Sequence, residues 1–252
     1  MKKPNAKKKL YHYTSINNLA LILQSKSIRF GRLDQVNDPT EGAAEDFHSL
    51  SPYIFISCWT ENNEENLALW NMYTPNMKGV RIEIETPIFE SYYFNSIKNL
   101  LFKEDDYLNE SSGYFILGGQ NEPYKIEYTD DVSLLKPSIR TDIGLDIHRL
   151  AKYKRKIWIV EQEYRYRLDI LPIDKHIESG NIPDRYEHLI ERQEPPPIDE
   201  YFVKIKDEPF HGMKILCSPK LQNGDREIIE ALVKTFNENA RIHESKLKGL
   251  IK

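Results

Sequence analysis

The chain has few of the features that usually assign a protein at sight. Its 252 residues include two cysteines, Cys58 and Cys217. They stand far apart in apolar, strand-like stretches, without metal-ligand spacing or a disulfide framework, and read as buried free thiols. Long apolar runs are missing as well. None approaches the roughly 18 residues needed to span a bilayer, and no apolar stretch follows the basic residues 1–9 as it would in a secretory signal. A strong charge of one sign is also absent: the formal net charge of −4 argues against a general polyanion binder. There is no Gly-rich phosphate loop, neither a P-loop nor a dinucleotide fingerprint, and no Ser/His/Asp or Cys/His triad follows from spacing. These absences predict a cytoplasmic protein with no membrane partner and no metal.

What is present suffices for a core. A hydrophobic content of 40% with 11% aromatics excludes wholesale disorder. No internal repeat or linker divides the chain, so one α+β domain is expected over residues 9–240. It lies between a basic flexible tail (1–8) and a basic C-terminal tail (241–252) read as solvated helix. Residues 9–13 (KLYHY) alternate as a strand and end at Thr14-Ser15, a helix cap. Ile16, Leu19, Ala20 and Leu23 then recur at helical spacing. Further strands are predicted at 27–30, 52–58, 79–85, 123–128, 201–205 and 213–218. Helices are predicted at 64–73, 87–102, from Thr141 through Ala151, and from Asp225 to Phe236. Residues 105–120 and 174–198 read as exposed loops or insertions. Many short strands with helices between only some of them favour a mixed or antiparallel sheet.

The most informative stretch is 156–168 (KIWIVEQEYRYRL). Read as one strand from Ile159 onward, it places Glu161, Glu163, Arg165 and Arg167 on one side and Val160, Gln162, Tyr164, Tyr166 and Leu168 on the other. Folding alone gives little reason to set two carboxylates that close, and a pair of this kind suits work on a bound polar substrate. A solvated face of alternating charges is the competing interpretation. His12 in the first strand, flanked by Tyr11 and Tyr13, could donate to a ribose hydroxyl or a phosphate, or could simply pack. Asn37-Asp38-Pro39 could be an Asx-turn. Trp70 and Tyr73, on one face of the 64–73 helix, are more often core than a platform for a flat ring.

Taken in order, these segments resemble the DUF2971 family of bacterial proteins. The resemblance runs from Leu10-Tyr11-His12-Tyr13-Thr14 through Ile28-Arg29-Phe30, Asn37-Asp38-Pro39 with Glu41, and Ile56-Ser57-Cys58-Trp59-Thr60-Glu61. It continues through Leu69-Trp70-Asn71-Met72-Tyr73 and Lys78-Gly79-Val80 to Lys156, Trp158, Glu161, Glu163 and Arg165, and closes on 213–236. Val36 and Met72 depart from the family pattern, the second removing a polar contact. The family is more distantly similar to the ADP-ribosyltransferase superfamily. That similarity implies a split sheet holding NAD as substrate, without metal. His12 would take the superfamily's histidine role, with Tyr13 and Thr14 beside it. Asn37 and Asp38 would join the NAD site, and Trp70 or Tyr73 would face the nicotinamide. Glu161-Gln162-Glu163 resembles a Glu-x-Glu motif, which implies Glu163 as the catalytic carboxylate and Glu161 as its acceptor-side partner, with Arg165 orienting Glu163 or meeting the pyrophosphate. The implied activity is transfer of ADP-ribose to a protein or nucleic-acid acceptor, or hydrolysis of NAD, in a toxin or phage-defence effector. The alternative is an inactive member of the fold that binds a nucleotide or nucleic acid.

Overall fold

The computed structural model describes residues 7–47, 49–142, 144–173 and 192–251. Its architecture is α+β. One mixed sheet carries eleven strands, here numbered along the chain: β1 (Lys9–Thr14), β2 (Ser27–Arg32), β3 (Ile54–Thr60), β4 (Val80–Glu85), β5 (Leu108–Asn109), β6 (Tyr114–Gly118), β7 (Tyr124–Lys125), β8 (Glu163–Pro172), β9 (Glu200–Lys204), β10 (Lys214–Cys217) and β11 (Arg241–Glu244). The order is β11-β10-β4-β1-β3-β8-β6-β5, with β2 pairing β3 and β9, and β7 pairing β8. All neighbours are antiparallel except β10 and β11.

The two faces of the sheet differ chemically. Alternation in β1, β3, β4, β8 and β10 turns Leu10, Phe55, Trp59, Ile82, Tyr166, Leu168 and Ile215 to one side, where they form the main core. Helices α1 (Ile16–Ser25) and α3 (Asn223–Phe236) contribute Leu19, Leu23, Ile229 and Val233 to that core. Ser15 caps α1 by accepting from Asn18 N at 3.1 Å, and Gln222 with Asp225 forms a capping box on α3. The other face carries Tyr11, Tyr13, Arg81, Cys58, Thr60, Glu163, Arg165, Arg167 and Asp169, by the register of β4, β1, β3 and β8.

One irregularity positions the site. β1 meets β3 only at Tyr11–Thr60, and β2 takes over the same edge at Gly31–Ile56 and Arg32–Phe55. Between these contacts the edge of β3 is open, and His12 stands there with its Nδ1 at 2.9 Å from the Cys58 carbonyl.

Several expected elements take other forms. The predicted strand of 156–168 is divided. Lys156–Glu161 is a 3₁₀ helix, Gln162 is left-handed (φ 45°), and β8 begins only at Glu163. Glu161 is therefore not on the strand, although Ile157, Ile159 and Val160 have strand propensity. Residues 87–102 are not helical: Tyr92–Phe94 and Ile97–Leu100 form a hairpin closed by Asn95 and Ser96, both at positive φ as a type I′ turn requires. The aromatic run favours a strand there. The helix expected behind Thr141 is reduced to a 3₁₀ turn, Ile147–Arg149, capped by Asp146, and Gly144 at φ 131° breaks the preceding segment. Ile143 lies outside the described residues. The 105–120 loop contains β5 and β6. The expected helical tail from 241 instead supplies β11, whose Ile242 packs on the core. The 123–128 strand splits into β7 and Glu127–Thr129, the latter parallel to Tyr153–Arg155. Of the excursion at 174–198, residues 174–191 lie outside the described residues, as do 1–6 of the N-terminal tail. No helix among the described residues is long and apolar enough to cross a membrane.

Candidate functional site

Strand β8 is buried along its whole length, charged residues included. Glu163 is 4% exposed, Arg165 0% and Asp169 3%, which removes the solvated-face interpretation. Buried charges persist only when paired and hydrogen-bonded, and here the pairing draws on three distant segments. Arg165 donates from Nε to Glu163 Oε1 at 2.6 Å and from Nη2 to Glu163 Oε2 at 2.9 Å. Its other edge clasps Glu41, with Nη2 to Oε1 at 3.0 Å and Nη1 to Oε2. Lys154 Nζ sits among Glu41 Oε1 (3.3 Å), Glu163 Oε2 (3.3 Å) and Glu161 Oε2. It also lies 5.0 Å over the Trp158 ring.

Local structure explains how Glu161 joins this cluster. The left-handed Gln162 turns the chain out of the strand direction, so Glu161 reaches Lys154 from the 3₁₀ helix while Glu163 reaches it from β8. Helix α2 (Leu67–Tyr73) is fixed beside that turn by its N-cap. Asn66 Oδ1 accepts from Ala68 N at 2.9 Å, and Asn66 Nδ2 donates to the Val160 carbonyl at 2.9 Å. Tyr73, at the far end of α2, then donates its hydroxyl to Glu161 Oε1 at 2.6 Å. Tyr128 accepts from Glu163 N at 2.9 Å.

Three carboxylates against two cations leave the cluster one negative charge in excess, and the surroundings place the strain on Glu161. Burial pushes its carboxyl above the usual range and Glu163 adds to this, although Lys154 and Tyr73 oppose it. Burial acts on Glu163 too, but Arg165 and Lys154 outweigh it and hold that carboxyl well below the usual range. The Tyr73 hydroxyl is pushed up by burial and by Glu161, so it remains a donor. His12 is pushed down by burial, against its bond to Cys58. A carbonyl can only accept, so Nδ1 carries the proton and Nε2 of the neutral ring is left as an acceptor. The Cys58 thiol is raised by burial and by Glu163, which makes it inert rather than nucleophilic.

A small cavity of about 60 Å³ opens onto this cluster. Tyr11, His12, Tyr13, Trp59, Tyr73, Glu161 and Glu163 line it, with Cys58, Thr60 and Leu69. His12, Tyr13, Tyr73, Glu161 and Glu163 are thus brought together from four segments. The other expected residues are not. Trp70 is fully buried under Tyr13, with ring centroids 4.8 Å apart, and its indole donates to Glu65, so it is core and does not face the cavity. Asp38 forms the Asx-turn with Thr40 (3.0 Å to N, 2.7 Å to Oγ1), Asn37 is exposed, and neither lines the cavity. Thr14 is buried at the end of β1, also outside the lining. Arg165 is fully buried outside the cavity lining and committed to Glu41 and Glu163, which leaves it unsuited to meet a pyrophosphate. Glu41 and Lys154 are the ion-pair partners that sequence spacing did not single out. Lys154 sits inside the basic run Lys152-Tyr153-Lys154-Arg155-Lys156, which reads as solvated until strand alternation turns this one side chain inward.

The cluster carries a pH signature. Glu163 stabilises the fold fully above the ordinary carboxyl pKa of about 4.3, and that contribution is lost as pH falls through its depressed folded value. Glu161 has the opposite sign: its ionised form is disfavoured in the fold, and acid relieves that burden. Urea midpoints of the wild type should therefore fall on acidification below about pH 4.3. Glu163→Gln should start lower at neutral pH and change less, whereas Glu161→Gln should lose the gain that wild type shows as pH falls from the raised Glu161 value to about 4.3. Parallel acid slopes in all three proteins would contradict the assignment.

Among the described residues no group of three or more His, Cys, Asp or Glu side chains is placed to hold a metal ion. No family model, no curated protein and no solved structure matches the chain.

Proposed function

We propose that the cavity cleaves the nicotinamide–ribose bond of NAD, as an ADP-ribosyltransferase or NAD glycohydrolase, and that Glu161 is its working carboxylate. The observation that carries this reading is the excess negative charge at an aromatic-walled cavity, concentrated on a carboxyl that Tyr73 and Lys154 orient. Breaking an N-glycosidic bond develops positive charge on the ribose, and a carboxylate fixed beside it stabilises the transition state more than the ground state. Glu161 is suited to this because it lines the cavity with one cationic partner, Lys154, whereas Glu163 is held by two. Glu163, held by Arg165 and Lys154, becomes the positioning residue. The roles implied by the Glu-x-Glu resemblance are thereby exchanged. Neutral His12, with Nε2 as acceptor, suits a ribose hydroxyl, and Tyr11, Tyr13 and Trp59 suit a flat ring.

The second reading, a member that binds a nucleotide without turnover, is favoured by one observation. The cavity of about 60 Å³ is far smaller than the 300–1,000 Å³ typical of small-molecule sites, so it holds one end of a dinucleotide at most. Incubation with NAD labelled in the adenylate half, alone and with RNA, DNA or cell lysate, separates the two readings. Released nicotinamide supports the enzyme, and the fraction that takes the label identifies the acceptor class. Bound but intact NAD under every condition supports the second reading.

A further inference from the structure

Next to the acidic cavity the same sheet face carries a charge with no counter-charge. Arg81, on β4, is 8% exposed. Its Nη1 donates to the carbonyls of Asn63 (3.0 Å) and Glu64 (3.2 Å), and its guanidinium lies 4.6 Å from the Tyr11 ring centroid and 5.8 Å from that of Tyr13. Its Nε is buried without an acceptor, and among the described residues no carboxylate is within ion-pair distance. Burying a guanidinium without a counter-charge is costly and calls for an explanation.

Arg81 lines a basin of about 410 Å³ together with Lys214, His243 and Lys246. Four carboxylates also line that basin, and none is within ion-pair distance of Arg81. Glu83 is paired with Lys9 and Lys214 at 3.0 Å each, and Glu244 with Arg226 and Lys248. Glu65 accepts from Trp70, Ser245 and the Lys246 amide, while Glu64 is exposed. What stays unmet is the Arg81 guanidinium itself, and a planar guanidinium recognises an anion with several acceptor oxygens well. Tyr11 and Tyr13 belong to both places: they line the acidic cavity, and Arg81 lies against their rings.

We propose that the Arg81 basin receives the phosphoryl groups of the nucleotide whose glycosidic bond lies at Glu161, the ligand crossing the Tyr11–Tyr13 wall between the two. This rests on the nucleotide reading above and deepens it. It also supplies room that the cavity at Glu161 lacks. The phosphates sit at Arg81 and the bond to be broken at Glu161, which sets the direction of the ligand.

Isothermal titration with ADP-ribose, inorganic pyrophosphate and adenosine tests this without any turnover. Wild type should bind ADP-ribose, more weakly as salt is raised, and more tightly than either pyrophosphate or adenosine. Arg81→Gln should weaken ADP-ribose binding by about tenfold or more, the loss expected for a hydrogen-bonded charge. Arg81→Lys should lose less, and Glu161→Gln should retain binding. Should Arg81→Gln fail to fold, by circular dichroism, Arg81→Lys decides, since it keeps the charge and loses the planar fork. Wild-type affinity in the folded variant, pyrophosphate binding as tight as ADP-ribose, or no ADP-ribose binding by wild type would each overturn the proposal. Arg81-dependent ADP-ribose binding in a protein that leaves NAD intact would uphold the subsite and refute cleavage. Nicotinamide release with unaltered Km in Arg81→Gln would do the reverse.

Discussion

Arg165→Met is expected to lower the free energy of unfolding by about 3–5 kcal/mol, the cost of stranding buried charge when one partner of an ion network is removed. The side chain is fully buried and four of its N–H groups are committed, two to Glu41 and two to Glu163. Without it three carboxylates share Lys154 alone, and Glu41 loses the contact that fastens the Asn37–Gly42 loop to the sheet. Domains of this kind have only about 5–15 kcal/mol to lose, so the urea midpoint should move far and the folded yield should fall. The triple change Arg165→Met, Glu41→Gln, Glu163→Gln should recover part of the loss, because it removes the stranded charges with the guanidinium. A single variant with a wild-type midpoint, or a triple variant worse than the single one, would refute the network as described.

Glu161→Gln is expected to separate activity from stability. Removing a preorganised charge aimed at a developing cation costs on the order of 10²–10³ in rate. The fold should not suffer. The substitution brings the cluster to two carboxylates and two cations, removes the carboxyl whose ionised form the fold disfavours, and leaves the amide able to accept from Tyr73. Its urea midpoint at neutral pH should equal or exceed that of wild type. Glu163→Gln should show the opposite balance, with stability lost first, because its carboxylate neutralises Arg165 and Lys154 from within the sheet. If Glu163→Gln abolished turnover at full stability while Glu161→Gln kept both, the roles would revert to those that the Glu-x-Glu resemblance implies.

The parts of this arrangement that could be read from the chain are those with local causes. Alternation in KLYHY and GVRIEIE identified β1 and β4, apolar spacing identified α1 and α3, and the paired carboxylates stood out because strands rarely place them together. The remaining parts were set by tertiary context. Ile157, Ile159 and Val160 have every strand propensity, yet a left-handed Gln162 ends a 3₁₀ helix there and re-aims Glu161. Glu41 meets Arg165 across 124 positions of chain, and no local pattern announces a partner that distant. Trp70 fell on the same helical face as Tyr73 by spacing, but α2 starts only at Leu67, and its packing against Tyr13 turns the indole into the core. Arg81 read as one polar position in an alternating strand. Its lack of a counter-charge is visible only once its neighbours are in place.

The most direct test of the proposed role of Glu161 is the initial rate of nicotinamide release from NAD by purified wild type and Glu161→Gln, at matched folded fraction. The prediction is release by wild type that falls by about 10²–10³ in the variant, with the two urea midpoints alike. Release no faster from wild type than from Glu161→Gln would contradict it.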